Sequence, residues 1–470
     1  MSYKYHAHST GPSQFILPKS GQMNCDVLAF LTPALYEATE EALWAQAVQA
    51  ASYPGVTHAY LMPDTHSGFG VPIGGVVVTE NTLIQAGSGY DISCGMLLMR
   101  APNLSATQVV DPEKRRQWIR EIELRVATGL GSHQPALMPH ASMALVEDIL
   151  RHGAQPLKVQ KDLCERISLP VDETHFKSDR VERAYHKMVP QLGSLGGGNH
   201  FIEMLVDPTD SSVWLMIHTG SRGYGWQTAE YYYFAGAEAR GLARNRREES
   251  WLRMDEPLGQ EYWAHHNSAA NYAIANRHVI AQGVREATEV TFGTSAEVFY
   301  EISHNLIQEE TLISADGSHT KGFVHRKGAT RAFPAGHPDL YNTRWLETGH
   351  PCLIPGSMFE GAAVLVPLPG AQKSGCSVNH GAGRLLGRGQ AKRELASLQD
   401  DIDAEMQGAR VVCSDGTVID GIVLNTEKTP LDECGMVYKN LDVVLDILVQ
   451  ERIARIERRM RPVANLKGTE

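Results

Sequence analysis

The chain has 470 residues, 43% of them hydrophobic and 21% charged, which is enough apolar material for a substantial core in one large or two modest domains. Its 43 Lys and Arg against 54 Asp and Glu give a formal net charge of −11, which excludes a uniformly basic nucleic-acid coat but leaves room for a local basic groove. The apolar runs fall short of the roughly 18 residues of a membrane helix, residues 1–21 are polar rather than signal-like, and the seven cysteines are scattered without a CxxC pair, so the expectation is a cytoplasmic protein with reduced thiols and no membrane contact.

Residues 34–52 (ALYEATEEALWAQAVQAAS) carry helical periodicity, and VPIGGVVV (71–78) reads as a strand. Residues 105–190 are polar, charged and weakly patterned, and read as a largely helical insertion. VWLMIHTG (213–220) is strand-like, a long helical pattern covers 257–286 around NYAIANRHVIAQ, and GFVHRKGATRAF (322–333) and the stretch after Gly361 are again strand-like. Near the C-terminus NLDVVLDILVQ (440–450) predicts a helix and ARIERRMRPVANLKG a strand, made basic by Arg452, Arg455, Arg458, Arg459 and Arg461. That basic run fits a solvated face or a surface that tracks phosphates. With no internal repeat, low-complexity tract or long linker, the prediction is a mixed α/β chain forming one domain over 1–470 that includes the 105–190 insertion.

Twenty histidines direct attention to their surroundings, because His titrates near neutrality and is the commonest metal ligand. In MPDTHSGFGVPIGGVVV and GSGYDISCGM, Asp64, His66, Asp91 and Cys94 fall in Gly-rich loops flanking a strand. Asp91 and Cys94, spaced D-x-x-C, suit a carboxylate and a thiolate on one metal or bridging two, and equally suit a turn with an inert buried cysteine. LGSLGGGNHFIE sets Asn199, His200 and Glu203 behind a glycine run that neither a helix nor a strand interior favours. VWLMIHTGSRGYG brings His218 and Arg222 to a strand end, where sites are commonly built. His304 in EISHNL follows a hydrophobic strand and fits a hydrogen-bonded core histidine just as well. In CSVNHGAGRLLGRGQAK, His380 precedes a Gly-Ala-Gly turn, and Arg384 and Arg388 stand four apart, on one face if helical and suited to phosphate oxygens. HRKGATRAFPAGH supplies His325, Arg326, Lys327 and Arg331, a dense positive patch that fits either an anionic ligand or a solvated basic face.

Taken in order, MPDTHSGFGVPIGGV, Asp91 with Cys94, GGGNHFIE, HTGSRG, SHN, HRKGATRAFP, IPGSM, HGAGR and a terminal LKG resemble the RtcB family of RNA-splicing ligases over residues 55–468. The resemblance implies an RtcB-type single catalytic domain, with β-sheets packed by helices around a central metal and nucleotide cleft. It implies a GTP- and Mn(II)-dependent ligase that joins an RNA 3′-phosphate or 2′,3′-cyclic phosphate to a 5′-hydroxyl, in tRNA splicing or RNA repair. Asp91, Cys94, His200, His218 and His304 would then ligate two ions, with Cys94 able to bridge them. His380 would attack GTP to form a histidine-GMP phosphoramidate, which requires a neutral ring and makes low pH inhibitory. Asn199, Glu203, Ser357, Tyr438, Lys467 and Lys327 would hold the nucleotide, and Arg384 and Arg388 the RNA phosphates.

The sequence also departs from the family pattern in a way that suits a divergent paralogue. Ala362 follows IPGSM where a Gly-Thr-Ala-Ser run is common, Val378 and Asn379 replace a Thr-Cys-like pair before His380, and Gly387 replaces a serine. These changes bear on rate, on the preferred RNA ends and on the need for an activating archease partner more than on reaction type. Two other classes follow from the same residues: a metal-dependent phosphohydrolase or cyclic phosphodiesterase that does not ligate, and a non-enzymatic RNA-binding protein.

Overall fold

The computed structural model describes residues 2–129, 142–313 and 317–468, and its architecture is mixed α/β, built on two large sheets. The first has seven strands in the order His8–Gly11, Gln14–Leu17, Val27–Ala29, Val56–His66, Ile73–Thr79, His319–Lys327 and Asn305–Ile313. Its pairings are antiparallel except between Val27–Ala29 and Val56–His66. The second runs Glu297–Ser303, Gly95–Ser105, Ser212–Thr219, Phe201–Val206, Ala454–Lys467, Ala362–Pro367 and Cys352–Pro355, with Val423–Leu424 lying parallel to Ala454–Lys467 as an eighth strand.

The chain passes from an edge of the second sheet to an edge of the first within one residue. Glu297–Ser303 ends, His304 intervenes, and Asn305–Ile313 begins. A histidine at that crossing is held by two sheets at once, which is why the strand-like EISHNL matters beyond its own packing.

The helix Pro257–Phe292 has 36 residues and is about 54 Å long at 1.5 Å per residue. Ile280, Ala281, Val284 and Ala287 join the core formed with Leu97, Met99, Ile202, Met204, Leu215 and Ile217 of the second sheet. Its buried polar residues fasten loops instead of forming a solvated face. Asn276 accepts from the Gly193 amide at 2.7 Å and donates to the Ser194 carbonyl at 3.1 Å. Arg277 donates to the carbonyls of Ser93 at 2.6 Å and Thr219 at 2.9 Å, beside Cys94 and His218, and its charge is balanced by buried Glu301. Buried polar groups are tolerated only when satisfied in this way.

The predicted strands and helices 257–286 and 440–450 are present, and ARIERRMRPVANLK forms one 14-residue strand. The 34–52 pattern divides into Pro33–Glu37 and Glu41–Ala51, because Glu40 is extended (φ −81°, ψ 150°) and the Thr39 hydroxyl bonds the Tyr36 carbonyl. Within 105–190 the described helices are Pro112–Glu123, Met143–His152 and Glu182–Gln191, with short 3-10 turns between the last two; residues 130–141 of that segment lie outside the described residues. Among the described residues no helix is long and apolar enough to cross a membrane, and all seven cysteines are free.

Candidate active site

Five of the expected ligands converge where the strands of the second sheet end. Cys94 precedes Gly95–Ser105, His200 precedes Phe201–Val206, His218 is the penultimate residue of Ser212–Thr219, and His304 sits at the crossing between sheets. The Cys94 Sγ lies 3.2 Å from His218 Nε2 and 3.5 Å from His200 Nε2. His218 Nε2 is 3.2 Å from His304 Nε2, and His200 Nε2 is 3.0 Å from Asp91 Oδ2. The donors form two groups, Asp91–Cys94–His200 and Cys94–His218–His304, each with all its ligand atoms within 4.8 Å of one another. Cys94 belongs to both.

The second ring nitrogens fix which atom faces the centre. His200 Nδ1 donates to the Leu195 carbonyl at 2.9 Å and His218 Nδ1 to the Asn199 carbonyl at 3.0 Å, which turns both Nε2 atoms toward the centre, where that of His218 is left as a lone-pair donor and that of His200 meets Asp91. Burial holds His218 and His304 well below the usual histidine range, reinforced by the neighbouring imidazoles, so both rings are neutral and able to coordinate. Burial and the Asp91 carboxylate push the Cys94 thiol well up, so a cation is needed to draw it into the thiolate form. Burial opposes ionisation of Asp91, but the bond from His200 outweighs it and keeps this carboxyl well below the usual range. The glycine of HTGSRG is required here: a Cβ at Gly220 would stand 2.3 Å from Asp91 Oδ1. A mixed O, N and S set of this geometry fits a pair of divalent transition-metal ions sharing the thiolate.

His380 lies next to this cluster, its ring centroid 5.1 Å from that of His304. Its Nδ1 is 2.6 Å from Asp64 Oδ2, and its backbone amide donates to the same oxygen at 3.2 Å. Asp64 therefore holds Nδ1 as the protonated nitrogen and leaves Nε2, which has no hydrogen-bond partner among the described residues, as the lone-pair atom. Asp64 and His66 end the strand Val56–His66 instead of lying in a Gly-rich loop as the sequence had suggested. Lys439 anchors that strand end, its Nζ donating to the Thr65 carbonyl at 2.7 Å and the Pro63 carbonyl at 3.3 Å. A Cβ at Gly383, where φ is +79°, would come within 2.2 Å of the Asp64 carbonyl, which accounts for the HGAG turn.

From His380 a cleft of about 270 Å³ extends past Asn199, Glu203, Ser357, Arg384, Tyr438 and Lys467. Glu433 organises its far wall. One carboxylate oxygen lies 2.8 Å from Lys467 Nζ and 2.9 Å from the Tyr438 hydroxyl, and the other meets Arg388 at 2.9 Å and Arg384 at 3.3 Å. Burial pushes the Glu203 carboxyl up to about 8, opposed by the Asn465 amide that donates to it at 3.0 Å. Asn465 also lines the cleft and keeps its buried Oδ1 without a partner among the described residues, a spare acceptor for a ligand.

The structure separates other residues that the sequence had grouped. Arg384 and Arg388 do not share a helix face: Arg384 is in a loop and the helix Arg388–Glu394 begins at Arg388, so it is Glu433 that brings them together. The HRKGATR stretch is not an exposed basic face, since all four of its basic side chains are buried. Arg326 pairs with Glu310, Arg331 with Glu165, and His325 Nδ1 bonds the Val77 carbonyl. Lys327 gives its ammonium to the carbonyls of Phe69 and Val71 and does not line the cleft. Along the C-terminal strand Arg458 pairs with Asp207 and Asp210, and Arg459 with Asp442. Ala362, Val378, Asn379 and Gly387 are all outside the cleft lining. Asp64, Lys439 and Glu433 received no role from the sequence; only Asp64 lay in a motif that drew notice.

A cluster of metal donors beside an oriented imidazole, opening on a cleft with cations held by one carboxylate, defines a chain built for phosphate chemistry. The family model described as "tRNA-splicing ligase RtcB" matches residues 46–468. The chain is 34% identical to the tRNA-splicing ligase RtcB of Thermococcus kodakarensis, with 90% of each chain covered. It is 32% identical to that of Archaeoglobus fulgidus, over 96% of this chain and 97% of the relative, and 32% identical to the RNA-splicing ligase RtcB of Mycobacterium tuberculosis, over 90% of this chain and all of the relative. This chain belongs to the RtcB family.

Proposed function

We propose that the protein is a GTP-dependent RNA ligase that joins RNA 3′-phosphate or 2′,3′-cyclic phosphate ends to 5′-hydroxyl ends, in tRNA splicing or RNA repair. The observation that carries this reading is the juxtaposition of the Asp64-oriented His380 with the Asp91, Cys94, His200, His218 and His304 donors.

His380 Nε2 attacks the α-phosphorus of GTP, forming a P–N bond as the α–β P–O bond breaks and pyrophosphate leaves. Asp64, accepting from Nδ1, sets the tautomer that presents the Nε2 lone pair and stabilises the cationic ring that develops, a division of labour familiar from hydrolase triads. A 3′-phosphate oxygen of the RNA then takes the GMP from His380, and the 5′-hydroxyl attacks the activated 3′-phosphate and expels GMP, leaving a 3′,5′ linkage. Cyclic ends must be opened to the 3′-phosphate beforehand. Asp91, Cys94, His200, His218 and His304 would hold two Mn(II) ions, which neutralise phosphate charge when bound. Asn199, Glu203, Ser357, Tyr438 and Lys467 recognise the guanylate, and Arg384 and Arg388 exchange Glu433 for RNA phosphates. An archease would act as an activator of the reaction.

The test is ligation of a labelled RNA carrying a 3′-phosphate to a second RNA carrying a 5′-hydroxyl, with GTP and Mn(II), with and without archease. A joined product that requires GTP is expected. Removal of the terminal phosphate with no joined product under either condition would overturn the ligase reading in favour of a phosphohydrolase.

A further inference from the structure

A second, larger cavity lies away from the cleft, against the C-terminal part of the helix Pro257–Phe292 and the strand Glu297–Ser303. At about 910 Å³ it is at the upper end of ordinary small-ligand sites, and no step of the proposed reaction uses it.

Its walls carry five cationic side chains, Arg100, Arg125, Lys158, Arg285 and Arg344, against two carboxylates, Glu286 and Glu297, in a chain of net charge −11. Arg125 is neutralised by Glu121 and Glu286. Among the described residues the other four cations form no ion pair, although Glu297 is opposite Arg100 in strand register. Arg285 is pre-set by the Ala296 carbonyl at 2.9 Å and by Gln282, and Arg344 by the Phe299 carbonyl at 3.2 Å. The Arg344 guanidinium also lies 4.3 Å from the centroid of the Trp345 ring, which itself lines the cavity. Unpaired, pre-oriented guanidinium groups beside an indole provide what a phosphorylated base needs, with charge-assisted bonds for the phosphate and a stacking surface for the base.

A metal is the poorer occupant. His278, which lines the cavity, brings its donor atom within 4.8 Å of those of buried Cys164 and Glu301. However, Cys164 Sγ already meets His278 Nε2 at 3.1 Å, Glu301 is bound by Arg277, and the cationic walls oppose entry of a cation.

We propose that this cavity is a second binding site for a phosphorylated nucleobase ligand, either a free nucleotide or a nucleotide unit of single-stranded RNA. The site is separate from the cleft, so its failure would leave the ligase reading untouched, and the converse also holds. The test titrates wild type and Arg285→Glu/Arg344→Glu with two probes that the ligation reaction does not consume: ATP, and a single-stranded RNA of about 12 nucleotides with 5′-phosphate and 3′-hydroxyl ends. At least one probe should bind wild type and lose tenfold or more in affinity in the double variant, while guanylylation by GTP is unchanged. If RNA is the occupant, the slope of log affinity against log salt should also fall by about 1 to 2. Should the charge reversals impair folding, Lys158→Ala/Arg344→Ala should show the same preference with a smaller loss. Equal affinity of folded variants and wild type for both probes, or no binding of either probe by wild type, would overturn the proposal.

Discussion

Two arginine-rich stretches, His325–Arg331 and His380–Arg388, carry similar side chains into different surroundings. In the first, each cation has a partner inside the protein: Glu310 takes Arg326, Glu165 takes Arg331, and two carbonyls take Lys327. In the second, Asp64 holds one face of the imidazole and leaves Nε2 free, while Arg384 and Arg388 share Glu433 with Lys467 and Tyr438 at the edge of the cleft. What distinguishes a site from a scaffold here is whether the partners exhaust the group or only orient it. A one-to-one buried pair has little left to offer a ligand, whereas a carboxylate shared among four donors can give some of them up.

The comparison predicts effects of different kind and size. Cys94→Ser removes the donor common to both metal groups, so metal content measured on the purified protein should fall and ligation should drop by at least about 10²-fold, beyond the range typical for outer-shell changes. Retention of full metal content would break the bridging role. Asp64→Asn should lower the rate of guanylate transfer by about 10²- to 10⁴-fold through the wrong tautomer of His380, with GTP affinity nearly unchanged. A change confined to KM would show that Asp64 binds substrate instead of orienting the ring.

Arg326→Ala should act on folding alone. It strands buried Glu310 and should cost about 3–5 kcal/mol in denaturant melts, while folded molecules keep their rate of guanylate transfer. The smallest effect concerns Glu203. Its carboxyl, raised by burial to about 8, is protonated in the fold at neutral pH, so the fold holds a proton that the unfolded chain has released above about 4.5. That contribution is complete at low pH and is lost as pH rises toward 8. Glu203→Gln should therefore match wild-type stability at pH 5 and exceed it by on the order of 2–4 kcal/mol at pH 8.5, read from melts at the two values.

Much of this was legible in the sequence because short-range pattern and long motifs were enough. The strand Ser212–Thr219 and the helix Leu441–Gln450 follow from apolar periodicity, and GGGNH and HTGSRG marked His200 and His218 through glycines that only close approach requires. What could not be read was pairing between separate elements, from 16 to 316 residues apart. Nothing local to HRKGATR reveals that Glu310 and Glu165 neutralise it, and nothing local to HGAGR reveals Asp64 or Glu433. His304 resembled a core histidine because its role comes from the crossing between two sheets, a property of topology instead of composition.

The central claim is that His380 Nε2 is the group that accepts the guanylate. The most direct measurement is incubation of wild type, His380→Ala and Arg326→Ala with α-labelled GTP and Mn(II), followed by denaturing electrophoresis. Acid-labile label on wild type and on folded Arg326→Ala, with none on His380→Ala, is the predicted result. Label that persists on His380→Ala, or no label on any metal-loaded protein with archease supplied, would contradict it.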